Sequence, residues 1–164
     1  MLLQDGQIEV NQINKDGWTP LYSAARCNHA GVLSLLLQDG RVDVNKVNKD
    51  GWTPLYSAAE NDCTEVVSLL LQDGRADVNK ADKDGKTPLY VAAVKGYAAV
   101  VNLLLQGRLL DVNKVDKDGW TPLYSAAHDG HAEIALLLQK AGGKLPVTFL
   151  GMAYLYMVDL AGMM

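Results

Sequence analysis

Apolar residues recur along the chain in short helical patterns that are separated by polar turns. Thr19 and Pro20, which suit the N-cap and the first position of a helix, precede apolar residues at helical spacing within 21–25. A polar break then leads to the apolar run 32–37, which ends near Gly40, a residue type that often terminates helices. This pattern predicts two short helices followed by an extended segment rich in turns.

The same pattern occurs four times at constant spacing. The sequence Gly-Trp-Thr-Pro-Leu-Tyr-Ser-Ala-Ala occupies 17–25, 51–59 and 119–127, and the variant Gly-Lys-Thr-Pro-Leu-Tyr-Val-Ala-Ala occupies 85–93. Successive Thr-Pro pairs are therefore 34 residues apart. One pair of helices cannot bury both of its faces, so four copies in phase predict a stack in which each unit covers its neighbour.

These units resemble ankyrin repeats over about residues 1–143. The resemblance is carried by Thr-Pro-Leu-x-x-Ala-Ala, by the Leu-Leu-Leu run and by Asp-Val-Asn at 43–45, 77–79 and 111–113. It implies an all-α fold, an ankyrin-repeat solenoid of helix-turn-helix units joined by hairpin-like loops. In place of the family's usual histidine the chain has tyrosine, and we expect these side chains to pack between units with their hydroxyls bonded to backbone groups. They are Tyr22, Tyr56, Tyr90 and Tyr124.

The repeat divides the chain into an array over 1–144 and a tail over 145–164. Within the array we distinguish a partial repeat at 1–15 and repeats at 16–49, 50–83, 84–117 and 118–144. The tail contains one charged residue, Asp159, and we predict a helix that caps the last unit; the alternative is a segment that pairs two chains or touches a membrane. Residues 1–6 match the end of a second helix in phase. We therefore expect that the chain is a fragment of a longer array, or that its N-terminal end contacts something, such as another copy of the chain.

Composition and charge exclude several classes of protein. With 49% hydrophobic and 21% charged residues among 164, the chain is neither disordered nor a multi-span membrane protein. Its net charge of −4 argues against a nucleic-acid binder. Cys27 and Cys63 lack the spacing of a zinc site, and the N-terminus lacks the pattern of a signal peptide. We expect a cytoplasmic protein, with the nucleus as a second possibility.

The resemblance also implies where a partner would bind. In ankyrin repeats the residue between Gly and Thr-Pro lies near the hairpin and the inner helix, facing a concave groove used for partners. Here that column consists of Trp18, Trp52, Lys86 and Trp120, and large aromatic residues are typical of interface hot spots. The alternative is that each tryptophan merely covers its own hairpin.

Positions that follow the Ala-Ala pairs would share this face. They vary between units, which fits recognition but also fits ordinary drift of solvated sites. They are Arg26, Glu60, Asn61, Val94, Lys95, His128 and Asp129. The net charge also alternates, from +1 over 16–49 to −4 over 50–83 and +2 over 84–117, and this would direct a charged partner to one part of the groove.

The asparagines of the Asp-Val-Asn segments have two interpretations. In ankyrin repeats such sites can be hydroxylated by an asparaginyl hydroxylase, which makes Asn45, Asn79 and Asn113 candidates. Their main role is predicted to be structural, with each side chain satisfying nearby backbone groups in a turn.

Catalytic patterns are absent from the sequence. The one local cluster that resembles metal ligands is His128, Asp129, His131 and Glu133, and it falls on a predicted inter-helix turn where ankyrin repeats commonly have Gly-His for packing. We therefore expect no enzyme, cofactor, metal or small-molecule substrate.

These observations predict a non-catalytic protein-protein interaction module or scaffold, which binds another protein along the groove. Nucleic acid is not an expected partner. The alternative is a self-associating or membrane-apposed fragment of a larger ankyrin protein, a homodimer through its chain ends for example, although membrane contact is the less favoured form.

Overall fold

The computed structural model describes residues 9–107 and 109–146, and within them the chain forms eight helices and no strands. The helices are α1 (Pro20–Arg26), α2 (Ala30–Leu37), α3 (Pro54–Glu60), α4 (Thr64–Asp73), α5 (Pro88–Lys95), α6 (Ala98–Leu105), α7 (Pro122–His128) and α8 (Ala132–Lys140). Consecutive helices make four pairs, and each pair with the turn that precedes it is called a unit below, numbered 1 to 4. The predicted capping helix, from residue 147 onward, and the predicted helix end at 1–6 lie outside the described residues.

The first helix of each unit begins as the sequence predicts. Thr19 has an extended backbone, its Oγ1 accepts a hydrogen bond from the backbone N–H of Tyr22 at 3.1 Å, and Pro20 is the first helical residue. The same cap is formed by Thr53, Thr87 and Thr121. Four equal caps fix the start of α1, α3, α5 and α7, which sets the four units in one register.

The helices stack in two rows. The inner row is α1, α3, α5 and α7, the outer row is α2, α4, α6 and α8, and each helix contacts its neighbours in the row and the other helix of its unit. The core lies between the rows and is made of leucines at equivalent positions, such as Leu55 and Leu89 inside and Leu70 and Leu104 outside, all fully buried. The predicted all-α stack of helix pairs is therefore confirmed.

Hairpin-like turns precede the inner helices and stack on one another. In the turn of unit 3, the N–H of Asp82 donates to the carbonyl of Lys86 at 2.9 Å and Gly85 has a φ of +80°. A Cβ at Gly85 would lie 3.1 Å from the Cα of Asp116 in the next turn. Glycine is therefore required there both for the left-handed backbone and for the close approach of the two turns.

Asparagine side chains join each unit to the next. The Nδ2 of Asn79 donates to the carbonyl of Leu109 at 2.6 Å, and its Oδ1 accepts from the N–H of Asp111 at 2.8 Å. Asn11, Asn45 and Asn113 make the same pair of bonds to the loops that follow them. The predicted bonding to backbone is observed, but the groups belong to a loop about thirty residues further along the chain rather than to the residue's own turn.

The hydroxyls of Tyr22, Tyr56 and Tyr90 bond to side chains, so the expectation of backbone partners is wrong for these three. Tyr56 donates to Oδ2 of Asp82 at 3.0 Å and Tyr90 donates to Oδ2 of Asp116 at 2.7 Å, while Tyr22 accepts from Nδ2 of Asn48 at 3.1 Å. The reason is the turn above each ring. Its free backbone N–H groups already bond Oδ1 of the same Asp or Asn side chain, and the other polar atom of that side chain is left for the tyrosine.

Two equivalent serines differ in hydrogen bonding, and this gives a matched pair of stability predictions. The Oγ of Ser125 donates to the hydroxyl of Tyr90 at 2.9 Å, whereas the buried Oγ of Ser57 bonds to none of the described residues. A buried hydroxyl without a partner costs about 1 kcal/mol or more, so we expect Ser57→Ala to raise the free energy of unfolding by about 1 kcal/mol. We expect Ser125→Ala to lower it by a similar amount. Urea unfolding of the two variants checks both signs, and a loss of stability in Ser57→Ala would contradict the assignment.

Candidate protein-binding groove

The inner helices and the hairpin-like turns enclose two open recesses on one face of the stack. The first recess, of about 540 Å³, lies between units 1 and 2, and the second, of about 510 Å³, lies between units 2 and 3. The first is lined by Trp18, Tyr22, Arg26, Asn48, Asp50, Trp52, Glu60, Asn61, Lys95 and Tyr97. The second is lined by Asp50, Trp52, Tyr56, Glu60, Asp82, Lys83, Asp84, Lys86, Tyr90, Val91, Val94 and Lys95. Because both recesses share Trp52 and Glu60, they form one continuous groove.

Each tryptophan of the predicted column packs on the tyrosine of its own unit. The ring centroids are 5.4 Å apart for Trp18 and Tyr22 and 4.9 Å apart for Trp52 and Tyr56. In unit 4 the rings of Trp120 and its tyrosine are 5.0 Å apart. The indoles are half-buried. Trp18 and Trp52 therefore cover their own units and still line the groove, so the two interpretations of the column are not exclusive.

The variable position after each Ala-Ala pair contacts the aromatic pair in units 1 and 4. The guanidinium of Arg26 lies over the ring of Trp18, 5.2 Å from its centroid. The imidazole of His128 is 5.6 Å from the ring of Trp120. In unit 2 the equivalent residue is Glu60, which instead forms an ion pair with Lys95 at 3.1 Å.

Most of the predicted binding residues lie together in the groove, and three do not. Those in the groove are Trp18, Arg26, Trp52, Glu60, Asn61, Lys86, Val94 and Lys95. Trp120 and His128 form a separate aromatic cluster in unit 4. Asp129 is exposed at the end of α7 and bonds the Nδ1 of His128 at 2.8 Å.

Sequence reasoning missed the acidic side chains of the groove. Asp50 and Asp84 follow the lysine at the tip of their turns, and Asp82 begins the turn of unit 3. The available signal was the tripeptide Lys-Asp-Gly, which occurs before each position of the tryptophan column. Because this tripeptide is the same in every unit, it indicates a turn, whereas variable positions are more typical of recognition.

The cluster around His128 has the geometry of a helix-packing turn. Nε2 of His131 lies 2.9 Å from the carbonyl oxygen of Val94 in the preceding unit, and the His131 ring fills the space next to Gly96. His128 contacts the aromatic rings of its own unit. The described part of the chain contains no group of three His, Cys, Asp or Glu side chains that could hold a metal ion.

Charged and buried groups in the groove shift one another's ionisation. Burial, reinforced by the carboxylate of Asp82, holds the pKa of Tyr56 well above its ordinary value. Burial also raises the pKa of Tyr90, with Asp116 adding to the effect. The hydrogen bond from Lys95 to Glu60 raises the pKa of the Lys95 ammonium. At neutral pH the two tyrosines are therefore neutral donors and Lys95 is charged.

The raised pKa of Tyr56 predicts a loss of stability at alkaline pH. An unfolded tyrosine ionises near pH 10, whereas the folded one keeps its proton to higher pH, so stability falls as the pH rises above about 10. For this group the loss is about 1.4 kcal/mol per pH unit. The variant Tyr56→Phe cannot ionise there. In urea unfolding at about pH 9 and about pH 11 we expect it to lose about 1 kcal/mol less than the unmodified chain, and parallel losses would contradict the prediction.

Together, the two rows of helices, the capped units and the open groove define a helical-repeat solenoid. The sequence model of a family described as ankyrin repeats (3 copies) matches residues 1–82 and 74–148. The chain therefore belongs to the ankyrin repeat family, as the motifs predict. Ankyrin repeats are generally protein-interaction modules and are typically non-catalytic. None of the curated proteins compared with the chain matches it.

In the described part of the chain, no helix has both the length and the apolar character needed to cross a membrane.

Proposed function

We propose that the protein is a non-catalytic interaction module that binds another protein along the groove of units 1 to 3. The observation that carries this proposal is the position of Trp52, whose half-buried indole lines both recesses at once. An aromatic side chain at the centre of a groove, with charged groups around it, has the composition of an interface hot spot inside a polar rim.

The groove supports recognition by a preformed surface. The indole of Trp52 is held by its contact with Tyr56, and the hydroxyl of Tyr56 is bonded to Asp82 in the next turn. Glu60 and Lys95 are paired across units 2 and 3. A partner would therefore meet side chains that are already positioned, which reduces the entropy lost on binding. The negative unit between two positive ones would orient a charged partner along the groove.

A capture experiment with Trp52→Ala tests the proposal. The immobilised full chain and the variant are each incubated with lysate, and the bound proteins are quantified by mass spectrometry. We expect specific partners to be recovered at least about tenfold less by the variant, the effect of removing a central aromatic hot spot.

The control for this experiment is Leu109→Ala. Leu109 is highly exposed and lies outside the two recesses, so we expect its removal to leave recovery unchanged. Circular dichroism confirms that both variants are folded. Equal recovery by the unmodified chain and by Trp52→Ala would show that the groove is not the binding site.

One observation favours self-association as a second candidate function. On α2, Val32 is 52% and Leu35 is 59% exposed, whereas Val66 and Val100, the counterparts of Val32, are 0% exposed because the preceding unit covers them. A second copy could cover this face of unit 1. Light scattering at micromolar concentration tests the idea: a dimer that Val32→Asp converts to a monomer would support it, and a monomer in the unmodified chain would contradict it.

A further inference from the structure

We propose that the second recess binds an arginine side chain of the partner, with its guanidinium over the ring of Trp52. This proposal rests on the proposed function, because the arginine would belong to the protein bound in the groove. Units 1, 2 and 4 present similar tryptophan–tyrosine pairs in different electrostatic surroundings.

In units 1 and 4 a side chain of the same unit lies against the tryptophan ring. In unit 1 the guanidinium of Arg26 lies 5.2 Å from the centroid of Trp18. In unit 4 the imidazole of His128 lies 5.6 Å from the ring of Trp120. Both groups come from the residue that follows the Ala-Ala pair of the same unit. In two units, therefore, a planar nitrogen-containing group packs on the tryptophan ring.

Unit 2 lacks such a group. Glu60 occupies the position that Arg26 and His128 have in their units, and among the described residues no cation lies over the ring of Trp52. Unit 3 has no tryptophan, and there the ammonium of Lys86 lies 5.8 Å from the centroid of Tyr90. Within the described residues, Trp52 is therefore the tryptophan whose ring has neither a cation nor an imidazole stacked on it.

The ionisable groups of the second recess have a small excess of negative charge, because four carboxylates (Asp50, Glu60, Asp82 and Asp84) lie among three lysines (Lys83, Lys86 and Lys95). Glu60 accepts from Lys95 through Oε1 at 3.1 Å and lines the recess beside Trp52. Asp50 is an exposed carboxylate that lines the same recess. Unit 2 also has the most negative net charge, −4 over 50–83. A cation between the indole and these carboxylates would gain both cation–π and ionic interactions.

Arginine fits this recess better than lysine. Its planar guanidinium stacks on an aromatic face and can bond a carboxylate at the same time, whereas an ammonium is a compact and strongly hydrated charge. Arg26 over Trp18 shows the stacked arrangement within the same molecule. Lys95 is already bonded to Glu60 and does not lie over the indole, so the ring of Trp52 stays available to the partner.

The test is an NMR titration of the full chain with N-acetyl-arginine amide, and with N-acetyl-citrulline amide as the uncharged isostere. The three indole N–H resonances are assigned with Trp→Phe variants. We expect the Trp52 resonance to shift saturably with the arginine compound, at an affinity about three- to fivefold above that for the citrulline compound. The resonances of Trp18 and Trp120 should move little, because their rings are already stacked.

Variants that exchange Arg26 and Glu60 between units 1 and 2 provide a second test of the proposal. Glu60→Arg should place a guanidinium over Trp52 and abolish its response, while Arg26→Glu should free the ring of Trp18 and create a response there. Glu60→Gln, which keeps the size of the side chain, should weaken the response without abolishing it. Equal responses to the two compounds, or a full response in Glu60→Arg, would overturn the proposal.

The two proposals fail separately. If capture of partners depends on Trp52 but arginine amide gives no response, the groove stands as a binding site and the arginine subsite is wrong. If arginine amide gives the expected response but capture does not depend on Trp52, the subsite stands and the proposed function of the groove is wrong.

Discussion

Replacing Asn79 with alanine is expected to lower the free energy of unfolding by about 1–3 kcal/mol, because two hydrogen bonds between units are lost and each contributes about 0.5–1.5 kcal/mol. The amide of Asn79 bonds both the carbonyl of Leu109 and the N–H of Asp111 in the following loop. Since stability in a repeat array depends on the interfaces between neighbouring units, the whole transition should move. Urea unfolding monitored by circular dichroism measures the change.

Asn102→Ala is the matched control for this prediction. The Nδ2 of Asn102 donates at 3.0 Å to the carbonyl of Ala98 within the same helix, and the residue is exposed. Loss of a local bond at an exposed helical position should change stability by less than about 0.5 kcal/mol, since alanine is also a better helix former. If the two asparagine variants were equally stable, the bonds between units would not carry the stability assigned to them.

Leu70→Ala is expected to lower the free energy of unfolding by about 3 kcal/mol. Leu70 is fully buried on α4, a helix that packs against α2, α3 and α6. Truncation of a buried leucine loses its transfer free energy and leaves a cavity, for which measured costs are roughly 2–5 kcal/mol. Because α4 contacts helices of three units, the cavity should weaken two interfaces at once. The free energy of unfolding in urea again provides the measurement.

Leu35→Ala tests whether burial is the cause. Leu35 lies on α2, the outer helix of the preceding unit, but it is 59% exposed. Its truncation removes little area from a packed environment, so we expect a loss below about 1 kcal/mol. A loss as large as that for Leu70→Ala would mean that something covers Leu35 in solution, which would favour self-association through unit 1.

The sequence was sufficient to predict the units but not the bonds between them. Thr19 and Pro20 begin α1 as expected, because a cap and a first helical residue act locally and need no tertiary information. The partner of Tyr56 is a different case. Asp82 lies 26 residues away, and their contact depends on how the turn of one unit stacks on the inner helix of the preceding unit, which no local pattern encodes.

The candidate groove was likewise predictable in part from the sequence. The phase of the repeat was enough to place Trp18 and Trp52 on one face, because equivalent positions in stacked units point the same way. It did not reveal that Glu60 would pair with Lys95 across two units. Nor did it show that Arg26 would cover one tryptophan and leave the next uncovered. Those features depend on the spacing and rotation between units, so they required the three-dimensional arrangement.

The asparagine bonds also make the units interchangeable. One side of each joint is a specific side chain, such as Asn45 or Asn79, but the other side is a carbonyl and an N–H of the main chain, which every residue except proline provides. A segment of one full period, cut at any fixed point, would therefore meet the same bonding groups wherever it was inserted. The array could gain or lose whole units without any change in the asparagines that join them, and the length of the groove would change with the number of units.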